Sequence, residues 1–270
     1  MKGHPHSVTS YRVLRWVTTA MLVLATAACD DPRPPRLPRA AILRDAPVVL
    51  YRAADPTRPP RAVIFFFGND VGFWKPHQAL AWELSGMQYA VAGFDIRRLL
   101  AKLPDASGGR DSVFASTMRR LIDAARAELG PTPPLILAGH SIGSELALWT
   151  AAHVPLHGLT GVLALSPGSR SHLDISASDL LMSAEPTGPL SFSVAEQIRA
   201  IPSSLRIAIV RGQRDQFIFA DSALLIAGRL RARRYLVPFS GHSLKSGLVA
   251  QFGVRQALEW ILAGSAAAAS

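Results

Sequence analysis

The chain has a single cysteine in 270 residues, Cys29, so no intramolecular disulfide can form and the fold depends on its core alone. Aromatic residues make up only 7% of the chain, and none of them interleave with basic residues into a stripe. A nucleic-acid partner is therefore not expected, although Lys+Arg (29) outnumber Asp+Glu (19) for a formal net charge of +10. Acidic residues are the scarce ones, and arginine supplies nearly all of the positive charge. Long hydrophobic runs are also missing: the most apolar stretch, residues 16–25, is too short to span a bilayer. With one cysteine there is no paired-cysteine spacing; no metal site is read from the pattern, and no cofactor is implied.

What is present begins with a leader. Lys2, Arg12 and Arg15 precede the apolar stretch, and the small residues Thr26, Ala27 and Ala28 precede Cys29, which is the layout of a secretory signal over residues 1–28. The hexapeptide Leu24-Ala25-Thr26-Ala27-Ala28-Cys29 resembles a bacterial lipobox, with threonine where that pattern usually has leucine. The resemblance implies that Cys29 is acylated and becomes the mature N-terminus, and Asp30 after it resembles an inner-membrane retention signal. The expected location is the periplasm, on an inner-membrane anchor; plain cleavage to a free product is the alternative. Residues 29–46, rich in proline and arginine with no hydrophobic period, read as an extended tether. Its arginines would meet anionic headgroups, each worth about 1 kcal/mol near the surface. The same arginine richness also follows from genome composition.

From Pro47 the pattern alternates strands and helices. Strands are expected at 48–52, 62–67, 89–94, 135–138, 161–165, 206–210 and 234–237, and helices at 76–85, 112–129, 144–153, 221–231 and 247–262. The 112–129 helix is read as placing Arg119, Arg120, Asp123 and Arg126 on its wet side. Apolar strands separated by helices imply an α/β domain over residues 47–263, a mostly parallel sheet with helices on both faces, followed by a disordered tail over 264–270.

The parallel sheet places chemistry at the carboxyl ends of its strands. The strand 135–138 runs into Gly139-His140-Ser141-Ile142-Gly143, a G-x-S-x-G on a strand-to-helix turn, which makes Ser141 the candidate nucleophile. Past strand 206–210 stands Asp215, and past strand 234–237 stands His242. The order Ser, Asp, His is that of the α/β-hydrolases. A serine hydroxyl needs a base within hydrogen-bond reach, His242 can be that base, and Asp215 can orient the imidazole and stabilise its cation. An oxyanion hole needs two donors. The backbone N–H of Ile142 is one, and the loop Phe67-Gly68-Asn69-Asp70-Val71-Gly72 is expected to give the other, from Asn69 first and Asp70 second.

These motifs resemble the α/β-hydrolase superfamily over about residues 47–263. More narrowly, residues 67–74, residues 91–95 (Val-Ala-Gly-Phe-Asp) and Gly139-His140-Ser141 resemble the bacterial virulence-protein domain of the VirJ/AcvB type. Ser240-Gly241-His242-Ser243, Ile142 and Ser144-Glu145 depart from the residues that family carries there. The resemblance implies an exported protein at the inner membrane that hydrolyses aminoacylated phospholipid. Residues 167–193, with Leu173, Ile175, Leu180, Leu181 and Met182, lie where such folds insert a lid, and Asp174, Asp179 and Glu185 there either attract a cationic substrate group or face water. The expected activity is thus ester cleavage by a serine hydrolase. The alternatives are a generic carboxylesterase or thioesterase, and a non-catalytic interaction protein on the same fold.

Overall fold

Residues 63–67, Val-Ile-Phe-Phe-Phe, have no polar side chain to turn toward water, and the strand they form, β2 (Val63–Phe67), is buried at every position. In the computed structural model, which describes residues 35–103, 109–174, 186, 188–216, 231–244 and 248–268, β2 lies inside a seven-stranded sheet. Its other members are β1 (Val48–Tyr51), β3 (Ala90–Phe94), β4 (Leu135–His140), β5 (Leu159–Leu165), β8 (Arg206–Gly212) and β9 (Ala232–Val237). The order is β1-β3-β2-β4-β5-β8-β9, with β1 antiparallel to β3 and every other pairing parallel. A separate antiparallel pair, β6 (Arg170–His172) and β7 (Ser191–Ser193), stands in the segment read as a lid.

The strand period of two distributes β2 between two cores. Val63, Phe65 and Phe67 pack into a core with α1 (Ala41–Asp45), α4 (Arg110–Leu129), α5 (Ile142–His153) and α6 (Val194–Ala200), through residues such as Leu43, Met118, Leu146 and Ile198. Ile64 and Phe66 pack on the opposite face with α2 (Lys75–Gly86) and α7 (Leu248–Ala268), through Leu84, Leu258 and Ile261. Each such fully buried side chain contributes about 1.5–3 kcal/mol. A short helix, α3 (Ile96–Leu100), follows β3 and is capped by the Asp95 carboxylate, which accepts the Arg98 N–H.

Four sequence expectations change. Residues 36–46 belong to the folded domain and not to the tether: Arg36 bridges to Leu50, the N–H groups of Arg39 and Ala40 donate to the Glu128 carboxylate, and Leu43 of α1 is wholly buried. Arg126 is not on a wet face: it is 8% exposed and donates to the carbonyls of His157, Pro131 and Pro133. The closing helix α7 runs through Gly264 to Ala268, into the stretch expected to be disordered, because alanine is the strongest helix former. β4 continues to His140, since Gly139 and His140 keep pairing with Ala164 and Leu165 of β5. The expected 221–231 helix, the leader and Cys29 lie outside the described residues. No helix among the described residues is long and apolar enough to cross a membrane.

Candidate active site

The turn from β4 into α5 is sharp enough to force Ser141 to φ 54° and ψ −129°. Such backbone in a non-glycine residue costs roughly 1–3 kcal/mol and needs the surroundings to hold it. The restraints are visible. Ser141 N–H donates to the Leu165 carbonyl at 2.9 Å, and the Ser141 carbonyl accepts from the Ser144 hydroxyl at 2.6 Å. The two motif glycines are there for space: a Cβ on Gly139 would stand 2.1 Å from the Gly143 carbonyl oxygen, and one on Gly143 would stand 1.9 Å from that of Gly68. The loop after β2 therefore lies directly on the start of α5.

Two further loops are locked to each other by Gly212, the last residue of β8. A Cβ there would sit 2.4 Å from the Ser240 carbonyl oxygen, so the loop after β9 runs over the bare backbone. Arg214 N–H donates to Ser240 at 2.8 Å and Gln213 N–H to Val237 at 2.9 Å. This brings together Asp215 and His242, 27 residues apart in sequence: His242 Nδ1 is 3.2 Å from both carboxylate oxygens of Asp215. On the other side of the ring, His242 Nε2 is 3.0 Å from Ser141 Oγ. The Asp215 side chain is fully buried, whereas that of His242 is 20% exposed, so the solvent-facing end of the chain is the reactive one. Ser141, Asp215 and His242 thus meet as the sequence predicts.

The expected oxyanion donors lie on the two segments that pack together here, the loop after β2 and the start of α5. Ile142 is the first residue of α5, and its N–H is one of the four at a helix start that have no intrahelical acceptor. In the facing loop Gly68 N–H is taken by the Phe94 carbonyl at 2.8 Å, and Asn69 is the next amide along. Asn69 is buried; its carbonyl accepts from Gly72 N–H at 2.9 Å and its side-chain oxygen from Val71 N–H at 3.2 Å. These bonds make residues 69–72 a tight turn that fixes the Asn69 backbone, with Asp70 half-buried at its tip. The Asp95 carboxylate lies against Gly72, and Phe73 packs on Gly93, where a Cβ would be 2.2 Å from the ring.

Several residues of the site carry no sequence motif. Arg211 is 1% exposed, donates to the Pro167 carbonyl, and brings Nε within 3.9 Å of the Asp215 carboxylate, setting a buried cation behind it. Its sequence signal is an arginine directly after the apolar strand residues 207–210. Glu145, 6% exposed, accepts the Gly168 N–H at 2.7 Å and so anchors the loop after β5. Arg110, 5% exposed, donates to the carbonyls of Leu100 and Leu173, both at 2.7 Å, and pairs with Asp174 at 3.3 Å. The Asp174 side chain is 59% exposed and held by that ion pair. Asp179 and Glu185 lie outside the described residues, as do Ile175, Leu180, Leu181 and Met182.

Beside the site stand two buried histidines. Burial lowers His77 to about 3, helped by the neighbouring His140 and opposed by the Gly72 carbonyl. Burial likewise lowers His140 to about 4. Both rings are neutral at ordinary pH. His153 and His157 stand four residues apart, but α5 ends at His153, and His153 Nε2 is bound 2.7 Å from the Gln197 side-chain oxygen. Among the described residues no three His, Cys, Asp or Glu side chains gather as a metal site.

No protein-family model matches the chain, and no curated protein matches it in sequence. Solved structures do match. The esterase domain of a Rhodothermus marinus protein is 18% identical with a TM-score of 0.55, the match covering 79% of this chain and 91% of that one. A dienelactone hydrolase from Anabaena variabilis is 14% identical with a TM-score of 0.56, covering 80% and 90%. A soluble variant of the monoglyceride lipase of Saccharomyces cerevisiae is 14% identical with a TM-score of 0.57, covering 80% and 91%. The fold is the α/β-hydrolase fold. At these identities the likeness carries architecture alone, and chemistry resides in the side chains of the site.

Proposed function

We propose that the protein is a serine hydrolase that cleaves a carboxylic ester through an acyl-enzyme. The observation that carries this reading is the unbroken chain from the Asp215 carboxylate to His242 Nδ1 at 3.2 Å and from His242 Nε2 to Ser141 Oγ at 3.0 Å. His242 takes the Ser141 proton as Oγ attacks the ester carbonyl. The N–H groups of Ile142 and Asn69 receive the oxyanion, with Asp70 the alternative to Asn69. Collapse of the tetrahedral species expels the alcohol, which leaves with the proton held on Nε2. Water, deprotonated by the same imidazole, then releases the acid and restores Ser141. Asp215 remains ionised throughout and stabilises the imidazolium.

Ser141→Ala is expected to lower kcat for a p-nitrophenyl ester on the order of 10⁶-fold, as loss of a nucleophile does elsewhere. Its circular dichroism should be unchanged. Retained hydrolysis in that variant would overturn the reading.

The substrate we favour is an aminoacylated phospholipid, met at the periplasmic face of the inner membrane by an enzyme anchored through Cys29. Support comes from the lipobox-like 24–29 segment and from the loop 67–74, residues 91–95 and the Gly139-His140-Ser141 motif that resemble the VirJ/AcvB type. Tethering raises the effective concentration only of substrates on the same membrane. Lipid extracts of cells carrying Ser141→Ala should accumulate an aminoacylated phospholipid; an unchanged lipid profile beside active wild-type esterase would favour a generic carboxylesterase or thioesterase. The non-catalytic alternative would require Ser141→Ala to keep full function in cells, and the intact Ser-His-Asp geometry argues against it.

A further inference from the structure

Next to the hydrolytic site is a pair of side chains that the mechanism above does not use. His77, on the first turn of α2, and His140, the residue before Ser141, are 4% and 7% exposed. Their ring nitrogens form one line of contacts. Trp74 N–H approaches His77 Nδ1 at 3.4 Å, His77 Nε2 lies 3.2 Å from His140 Nδ1, and His140 Nε2 lies 3.1 Å from the backbone carbonyl oxygen of His242. The line runs from the loop that carries Asn69 and Trp74 to the backbone of the base itself.

Its far end fixes its direction. A carbonyl oxygen can only accept, so His140 carries its proton on Nε2. A neutral ring protonated there has Nδ1 as an acceptor, so His77 must present an N–H at Nε2. That leaves His77 Nδ1 to accept from Trp74 N–H, which is the donor it faces. One pair of tautomers, both Nε2–H, therefore satisfies the three contacts of the line; the Gly72 carbonyl, which also neighbours the His77 ring, is outside it. A proton added to His140 would set its Nδ1–H against the Nε2–H of His77. Burial keeps both rings neutral, with His77 lowered to about 3 and His140 to about 4. The titratable groups that face His140 are His77, His242 and Asp215, and His77 is otherwise bordered by Phe66, Phe73, Trp74 and the Gly72 carbonyl.

We propose that His77 and His140 are positioning residues, a strut of two neutral imidazoles that ties the oxyanion loop to the backbone of His242 and holds the base in line with Ser141. The strut explains why a polar pair is retained between strands and helix where apolar side chains would otherwise pack. It rests on the reading of Ser141 and His242 as nucleophile and base. Because displacing a base by about 1 Å costs on the order of 100-fold, the strut acts on kcat and leaves substrate binding alone.

The test has two arms. In protein labelled with ¹⁵N-histidine, NMR should show two neutral Nε2–H rings that do not titrate between pH 8 and pH 5.5, assigned by their absence in single variants. In steady-state assays with a p-nitrophenyl ester, His140→Leu should lower kcat roughly 10- to 100-fold with KM unchanged. His140→Gln, whose amide can still donate to the His242 carbonyl, should recover most of that loss. Either ring found as Nδ1–H or titrating near its ordinary value, an undiminished kcat in His140→Leu, or equal impairment of the two variants would overturn the proposal. The two readings fail separately: hydrolysis surviving in Ser141→Ala removes the nucleophile, whereas the wrong tautomers remove the strut.

Discussion

At the scale of single residues, the site is built by what is left off as much as by what is present. Gly212 lets the Ser240–Gly241 backbone lie on β8, and that contact sets the reach of His242 to Asp215. Gly212→Ala should push the two loops apart, costing about 1–3 kcal/mol of stability by overpacking and lowering kcat more than it changes KM. Urea melts and steady-state kinetics on the same preparation check both. Asp215→Asn should keep the fold and reduce kcat about 10⁴-fold, since the imidazole loses the partner that fixes its tautomer. Ser141, Asp215 and His242 are legible in the sequence because each follows a strand in a turn that contains a glycine, a local signal. His77, His140, Arg211 and Glu145 are not. A histidine on a helix, or an arginine after a strand, acquires its meaning only from groups tens of residues away: His140 from the carbonyl of His242, Arg211 from the carbonyl of Pro167.

Among the elements, type is legible and edges are less so. Every described strand of the main sheet is foreseen, because continuous apolar runs such as 63–67 have no other way to be buried. The β6–β7 pair is too short to show a period. Helix α1 is missed because Pro and Arg dominate the stretch before it, yet one side chain, Leu43, docks it in the core. Leu43→Ala should destabilise the protein by about 2–5 kcal/mol, the range for emptying a core leucine site; a tether residue would give no change in the denaturation midpoint. Arg126 shows the complementary error. Helical spacing places it on the polar face of α4, but the carbonyls of Pro131, Pro133 and His157 close over that face. Those acceptors belong to connections whose path no periodicity reveals.

For the molecule as a whole, the buried histidines make stability depend on pH. His77 and His140 titrate at about 3 and about 4 when folded but near 6.5 when unfolded. Below about pH 6.5 the unfolded chain binds protons that the folded one refuses, so stability is full above that value and falls as pH drops toward 4. The slope is up to about 1.4 kcal/mol per pH unit for each histidine. Chemical denaturation at pH 7.5 and pH 5.5 should show the loss, and His140→Gln should show a smaller one; equal stability at the two pH values in the wild type would contradict it. The overall architecture is the part of the prediction that sequence carries best, since a two-core α/β sheet follows from alternating apolar strands and amphipathic helices. Substrate recognition is carried least, because the segment read as a lid has no period of its own. The most direct measurement of the catalytic proposal is the intact mass of the protein mixed rapidly with a slowly hydrolysed ester, followed by peptide mapping. The expected result is one acyl group on Ser141 that forms before alcohol release slows and is absent from Ser141→Ala; turnover with no acylated Ser141, or acylation at another residue, would contradict it.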